Sequence, residues 1–314
     1  MSRLPDGLIA FGPNANCTLD LCPLSASVLE YQPSVPASAT FIGLFSLWLL
    51  LFVVQGVWTR TWGFTAAMVS GCVLEIVGYL GRIMIHDNPF SFNGFLIQII
   101  CITVAPVFFC SAIYVLLSQI ITHVDPSISR LSPRLVYWIF IPCDVVSLVL
   151  QAVGGALSSL GKTRADVDQG VHISLGGLVF QVVTLTAFCI LFVDYIITCR
   201  RKGRQALLDK RLKVLLVATF LSALLILLRC TYRIVELHEG YFSHWFRDEP
   251  MFIALESVVM AVAVPCLIVG HPGFTLIKSK AFDKGDQEEG HSERVSQDQD
   301  QVELTSMPHH TARW

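Results

Sequence analysis

Six charged side chains stand out because each falls inside a long apolar run: the acids Glu75, Asp144 and Glu256 and the bases Arg82, Arg229 and Arg233. A charge at the centre of a lipid bilayer costs several kcal/mol, so such groups face an interior and take partners. Helical spacing sorts them onto faces. Gly71, Glu75, Gly78 and Arg82 step by 4, 3 and 4 residues and form one stripe at 100° per residue, with glycines that admit a close neighbour. Asp144, Ser147, Gln151 and Gly155 form a second stripe that combines an acid, a hydroxyl and an amide. Arg229, Arg233 and Glu236 form a third, in which Arg233 and Glu236 can pair within one helix. Arg229 then needs a partner from another helix. Gln98 and Gln181 add uncharged polar groups, whereas Asp194 reads as interfacial. Two kinds of chemistry fit. The acids and arginines can pair as static bridges between helices, or some of them can line a polar pathway in which an acid receives a cationic head group.

Other chemistries lack their residues. The histidines show no metal-ligand spacing inside an apolar run, and there is no zinc-type His/Cys cluster, so no metal and no cofactor is expected. Gly154-Gly155 and Gly176-Gly177 lie within apolar runs and read as packing glycines rather than phosphate loops, which argues against an ATP-driven pump. No nucleophile constellation is present, so an enzyme is not expected. Eight of the ten cysteines lie in or beside apolar runs, where they serve as small packers. Cys17 and Cys22 sit in a polar segment. A small bridged loop between them, free thiols and an intermolecular bond all remain open.

The elements that position these groups follow from composition. Of 314 residues, 54% are hydrophobic and only 15% charged, and mean hydropathy is +0.62. A soluble domain carries about 25% charge, so this chain cannot cover a water-facing surface. The net charge of −2 gives no reason to expect a nucleic-acid partner. Seven stretches reach the length of a membrane span, at about 39–58, 63–85, 94–121, 135–157, 173–198, 212–235 and 250–270. Pro106 and Pro265 should bend the third and seventh. The fold class is therefore all-α, a polytopic bundle of seven transmembrane helices over residues 39–273. An N-terminal segment, 1–38, precedes it and a polar tail, 274–314, follows, with eight acidic and five basic residues and an expectation of disorder. No long apolar stretch precedes Phe41, so a cleavable signal peptide is not expected.

With the N-terminus outside, the cytoplasmic loops hold ten lysines and arginines and the outer segments four. The positive-inside rule then places the C-terminus in the cytoplasm. Asn16-Cys17-Thr18 fits the glycosylation acceptor pattern, which works on that same outer side.

Ordered along the chain, these pieces resemble the fungal lipid-translocating exporter family, seven-span proteins linked to aminocholesterol resistance and sphingoid-base export. The likeness rests on Tyr31-Gln-Pro-Ser34; Gly71, Glu75 and Gly78 through Arg82; Ala105-Pro106 through Tyr114; and Phe140 to Asp144 with Gln151 to Gly155. It continues through Gly177 with Gln181, Arg229 through Arg233 with Glu236, and His271-Pro-Gly273. It spans about residues 31–273. The run Glu239 to Glu249 keeps the family's turn and acids in a shorter loop. The resemblance implies ATP-independent translocation of amphipathic lipids or toxic small molecules, conferring resistance, at the plasma membrane or an endomembrane. Its partners are membrane lipids or amphipathic small molecules; protein partners are unknown. A seven-helix receptor or sensor, or a regulatory subunit of a lipid transporter, is the alternative. Against a receptor, the third span lacks an Asp-Arg-Tyr ending and the seventh lacks an Asn-Pro-x-x-Tyr run.

The topology is testable. Endoglycosidase should lower and sharpen the gel band, and Asn16→Gln should abolish that shift. A C-terminal tag cleaved by protease added to intact cells would contradict the orientation.

Overall fold

The computed structural model describes residues 8–10, 12–124, 132–161, 163–202, 210–238 and 248–269. Lipid offers no hydrogen bonds to an open backbone, so a spanning chain must satisfy its own amides, and here it does so in seven helices. They are α1 (Val35–Thr59), α2 (Trp62–Asp87), α3 (Phe92–Val124), α4 (Pro133–Leu160), α5 (Arg164–Arg201), α6 (Lys210–His238) and α7 (Glu249–Val269). All seven are long and apolar enough to cross a bilayer. The protein is an integral membrane protein. The loop 239–247, His271 to Gly273 and the tail 274–314, on which several expectations rested, lie outside the described residues.

Successive helices pack side by side, and α7 closes the ring by packing on both α6 and α1. Helix α3 touches α2, α4 and α6 and is the most enclosed element. The core is dense in aromatics: Tyr114, Phe140, Phe188 and Phe192 follow one another in edge-to-face and tilted contacts, and Phe45, Phe52, Phe64 and Phe109 are fully buried. Leu50, Val57, Trp58, Val149, Val183, Ile190 and Val217 point outward, as the lipid-facing side of a membrane bundle requires.

Residues ahead of α1 cover one end of the bundle, called here the capped end. Cys17 and Cys22 are joined by a disulfide. Together with Ala10 they pack on Phe90 in the α2–α3 connection, and Val28 and Leu29 pack on Ile85 and Phe95. The His86 Nδ1–H donates to the Pro33 carbonyl at 2.8 Å, and Ser34 caps α1. The opposite, or far, end carries the α1–α2 connection, where Arg60 terminates α1 in a left-handed conformation with φ 56°.

The helices extend the expected spans by a few residues at most ends. Helix α5 differs more, starting nine residues before position 173. Its first two turns are polar and carry no hydropathy signal. They are fixed instead by a capping box, in which Thr163 Oγ1 accepts from the Asp166 amide and Asp166 Oδ2 accepts from the Thr163 amide. Pro106 and Pro265 lie within continuous helices, and so does Pro142 of α4. Residues Ile253–Val258 of α7 form a π-helical turn, a local widening often found at functional sites.

Close helix approach is concentrated at glycines. A Cβ on Gly71 would stand 2.4 Å from Phe109, and one on Gly78 would stand 2.5 Å from Ile102, so α2 presses on α3 along the stripe the spacing defines. The fourth helix departs from expectation. Gly155 has nothing within 4 Å of an added Cβ; the α4–α5 contact is made by its neighbour Gly154, whose Cβ would meet Ser174 N at 2.4 Å and Gly170 O at 2.5 Å. Both positions continue the stripe from Gln151, and a 100° rotation separates them.

The two glycines therefore predict opposite outcomes. Gly154→Val should sharply lower the amount of monodisperse protein in fluorescence-detected size exclusion, because two backbones must separate. Gly155→Ala should leave it at or above wild type, with roughly 0.5–1 kcal/mol of helix propensity gained.

Candidate functional site

Near the capped end the buried charges converge. Arg229 of α6 is 2% exposed; its Nη2 donates to Glu256 Oε1 of α7 at 2.6 Å and to the Ile102 carbonyl of α3. At Ile102 the α3 carbonyl sits four residues before Pro106, whose ring nitrogen cannot donate to it. That explains how a helix-interior carbonyl is free to take an arginine. Arg233, one turn nearer the cap, pairs with Glu236 on its own helix, donates to Thr103 Oγ1 at 3.0 Å and lies 3.6 Å from Glu256 Oε2. Glu256 thus bridges two arginines from within the π-helical turn of α7.

Arg82 of α2 forms a second centre. Its Nη2 donates to Tyr31 Oη at 3.0 Å and to Glu249 Oε1 at 3.1 Å, and its guanidinium stands 4.1 Å from the centroid of Phe252. The same Glu249 oxygen accepts from the Ser34 amide at 2.7 Å. One carboxylate therefore ties α7, α2 and the N-terminal segment. Burial pushes the Tyr31 phenol above its ordinary pKa, against the lowering effect of Arg82, so the ring stays neutral at physiological pH. Glu75, deeper on α2, is 1% exposed, and its Oε1 has no hydrogen-bond partner among the described residues.

Beside this network, α3, α4, α5 and α6 enclose a cavity of about 330 Å³. Its wall is mostly apolar, with Phe95, Ile99, Leu148 and Leu178, and Gly155 leaves part of it open. Its polar groups are few: Arg233 and Glu236 from α6, Thr103 from α3, Gln151 and Ser159 from α4 and Ser174 from α5. Gln151 Nε2 donates to Ser147 Oγ at 2.8 Å and to Gln181 Oε1 at 3.0 Å, while Ser147 Oγ donates to the Gly177 carbonyl at 3.0 Å. These three residues clasp α4 to α5. Gln151 Oε1 has no hydrogen-bond partner among the described residues. This combination of an apolar wall and a few convergent polar groups is the usual form of a small-molecule site.

Of the expected residues, the structure thus brings Arg229, Arg233, Glu236 and Glu256 into one network, with Arg82 beside it, and joins Ser147, Gln151 and Gln181 in another. Asp144 belongs to neither. It is 1% exposed, and its Oδ2 accepts from Tyr114 Oη at 2.9 Å with no arginine in contact. Glu249, Tyr31, Thr103 and Tyr114 complete the sites without having been singled out for that purpose. Glu249 could have been found by matching Arg82 to an acid at the same depth on the seventh span. Asn16 is exposed on the cap, with its Oδ1 accepting from the Ile9 amide at 2.7 Å.

The Arg229–Glu256 pair yields a stability prediction. Glu256→Gln should destabilise the fold in detergent by roughly 3–5 kcal/mol and lower its unfolding midpoint, because it strands a buried arginine. Combining it with Arg229→Met should recover most of the loss, as judged by thermal-shift chromatography.

Comparison with known proteins finds relatives in yeast. It is 30% identical to the sphingoid long-chain base transporter RSB1 of Saccharomyces cerevisiae, over 77% of this chain and 72% of that one. It is 31% identical to protoporphyrin uptake protein 1 of the same yeast, over 64% of this chain and 66% of the relative, and 30% identical to its protein RTM1, over 64% of each. No solved structure matches. The RTA1-like family profile covers residues 68–279, which takes in every helix that contributes to the cavity and both arginine centres except for the N-terminal segment's share, and the chain belongs to the RTA1-like protein family.

Proposed function

We propose that this protein moves amphipathic amines with long apolar tails, of the sphingoid-base kind, across its membrane, and that the cavity between α3, α4, α5 and α6 is where they bind. The observation that carries this reading is the cavity's composition: an apolar volume of about 330 Å³ with a carboxylate, Glu236, at its charged wall and few other polar groups. An ammonium or amino-alcohol head can donate to the Glu236 carboxylate, while its tail takes the apolar wall. The relative named as a sphingoid long-chain base transporter supports the same cargo class. Arg233 already neutralises Glu236, so binding of a cation requires Arg233 to shift its pairing toward Glu256 Oε2, which is 3.6 Å away.

The chain carries no recognisable nucleotide-binding loop, so we take transport to be independent of ATP hydrolysis. Outward movement would confer resistance to toxic amphiphiles. We place the capped end outside. The disulfide and exposed Asn16 lie there, whereas Arg60, Arg134, Arg200, Arg201, Lys202, Lys210, Arg211 and Lys213 gather at the far end.

Proteoliposomes and a fluorescently labelled sphingoid base test this reading. The protein should accelerate movement of the probe between leaflets in the absence of ATP. Gly155→Leu, which fills the cavity, and Glu236→Gln should each slow it about ten-fold or more while abundance holds, since a hydrogen bond to a charged group is worth roughly 1.5–3 kcal/mol. Probe movement no faster than in protein-free liposomes would overturn the assignment.

A further inference from the structure

Among the described residues, the Asp144 carboxyl is the one buried acid of the α3–α6 half that the cavity chemistry leaves unused. It lies sixteen residues before the capped end of α4, about 24 Å along the helix at 1.5 Å per residue, and so sits at mid-depth in a bundle that spans the bilayer. Its Oδ2 is held by the Tyr114 hydroxyl at 2.9 Å. Its Oδ1 is fully enclosed and has no hydrogen-bond partner among the described residues.

The groups facing it from each packed helix are all neutral. From α3 they are Tyr114 and Cys110, and from α6 Cys230; Cys189 of α5 lies beside Cys110. No arginine, lysine or histidine of the described residues pairs with it, although three arginines are used elsewhere in the bundle. Phe140 and Phe188 pack on the Tyr114 ring and keep the surroundings apolar. A carboxylate here would be a bare charge in a low-dielectric interior, a state proteins avoid by neutralising the group. A proton on the carboxyl removes that charge.

The position also has a connection to the cavity. Leu148, one helical turn from Asp144 on α4, lines it, and so does Gln151, whose amide reaches Ser147 on the Asp144 stripe. Water admitted there needs to advance about one turn of α4, roughly 5.4 Å, to reach the carboxyl.

We propose that Asp144 is a proton-binding site, loaded in the arrangement seen here, that exchanges its proton with cavity water during turnover and so couples cargo movement to a proton. The step is a simple ionisation. The Asp144 O–H bond breaks, the proton passes to water in the cavity, and the carboxylate so formed keeps its hydrogen bond from Tyr114, whose own proton stays in place. This inference rests on the transport reading above, but the protonation it requires is measured without transport.

The first measurement is infrared difference spectroscopy of the purified full chain in lipid nanodiscs. The carbonyl stretch of a protonated carboxylic acid should be present at neutral pH in the wild type and in Asp144→Glu, and should be missing its Asp144 component in Asp144→Asn. Dicyclohexylcarbodiimide gives a check that needs no variant. It converts a protonated carboxyl in apolar surroundings to an N-acylurea, and mass mapping should place an adduct on Asp144 that declines as pH is raised. The second measurement is flux of the labelled sphingoid base in proteoliposomes under an imposed pH gradient. The wild-type rate should change several-fold with the gradient, as should that of Asp144→Glu, while Asp144→Asn should carry the probe at a rate indifferent to it. A carboxyl band and carbodiimide labelling that do not involve Asp144 would overturn the proton site. Gradient dependence unchanged in Asp144→Asn would overturn the coupling alone. No wild-type flux at any pH would overturn the transport reading, and the coupling with it, whatever the infrared result.

Discussion

A guanidinium buried among hydrocarbon must be paired or it will not stay buried, and Arg229 is the place where that constraint organises the bundle. Its side chain is 2% exposed and engages the Ile102 carbonyl on α3 and Glu256 on α7. Three helices are fixed to one another by a single cation. The proline at 106 frees the carbonyl, and the π-helical turn in α7 presents the carboxylate. Glu256 then has a second oxygen to share with Arg233, which brings the cavity wall into the same electrostatic unit. Glu236 is consequently held by an arginine with an alternative partner nearby, an arrangement that permits exchange at lower cost than a lone pair would.

The cap repeats the same logic at the membrane boundary. Arg82 is buried at its α2 position because Glu249, Tyr31 and the Phe252 ring all meet it. Glu249 in turn holds the amide of Ser34, the residue that starts α1. The N-terminal segment is therefore part of the charge arrangement rather than an appendage. Its own fold is kept by the Cys17–Cys22 bridge and a small apolar seat on Phe90, which are needed in a stretch too short for a core of its own.

Much of this was legible in sequence because lipid narrows the options. Seven apolar runs could only be helices, and the steps of 3 and 4 between Glu75 and Arg82, or Arg229 and Glu236, state which residues share a face. The need of Arg229 for a partner on another helix follows from the same cost argument. What spacing does not carry is rotation and pairing between helices. It put Gly155 on the packing stripe, and the interhelical contact falls on Gly154 instead. It grouped Asp144 with Ser147 and Gln151, yet Asp144 turns to Tyr114 on α3 while the other two clasp α5. Nor did it supply Glu249 as the partner of Arg82, since that acid stands in a polar run where hydropathy has no contrast. The polar start of α5 escaped for the same reason, although its capping box is a local signal.

If cargo occupies the α3–α6 cavity, its head lies at the Arg233–Glu236 pair. Photocrosslinking measures this most directly, using a sphingoid base that carries a diazirine in its chain, bound to the purified protein and mapped by mass spectrometry. Adducts should fall on cavity residues such as Ile99, Val104, Leu148 and Ala152 and be suppressed by excess unlabelled base. Adducts confined to outward-facing residues such as Leu50, Val57 or Val217, and insensitive to competition, would contradict that placement.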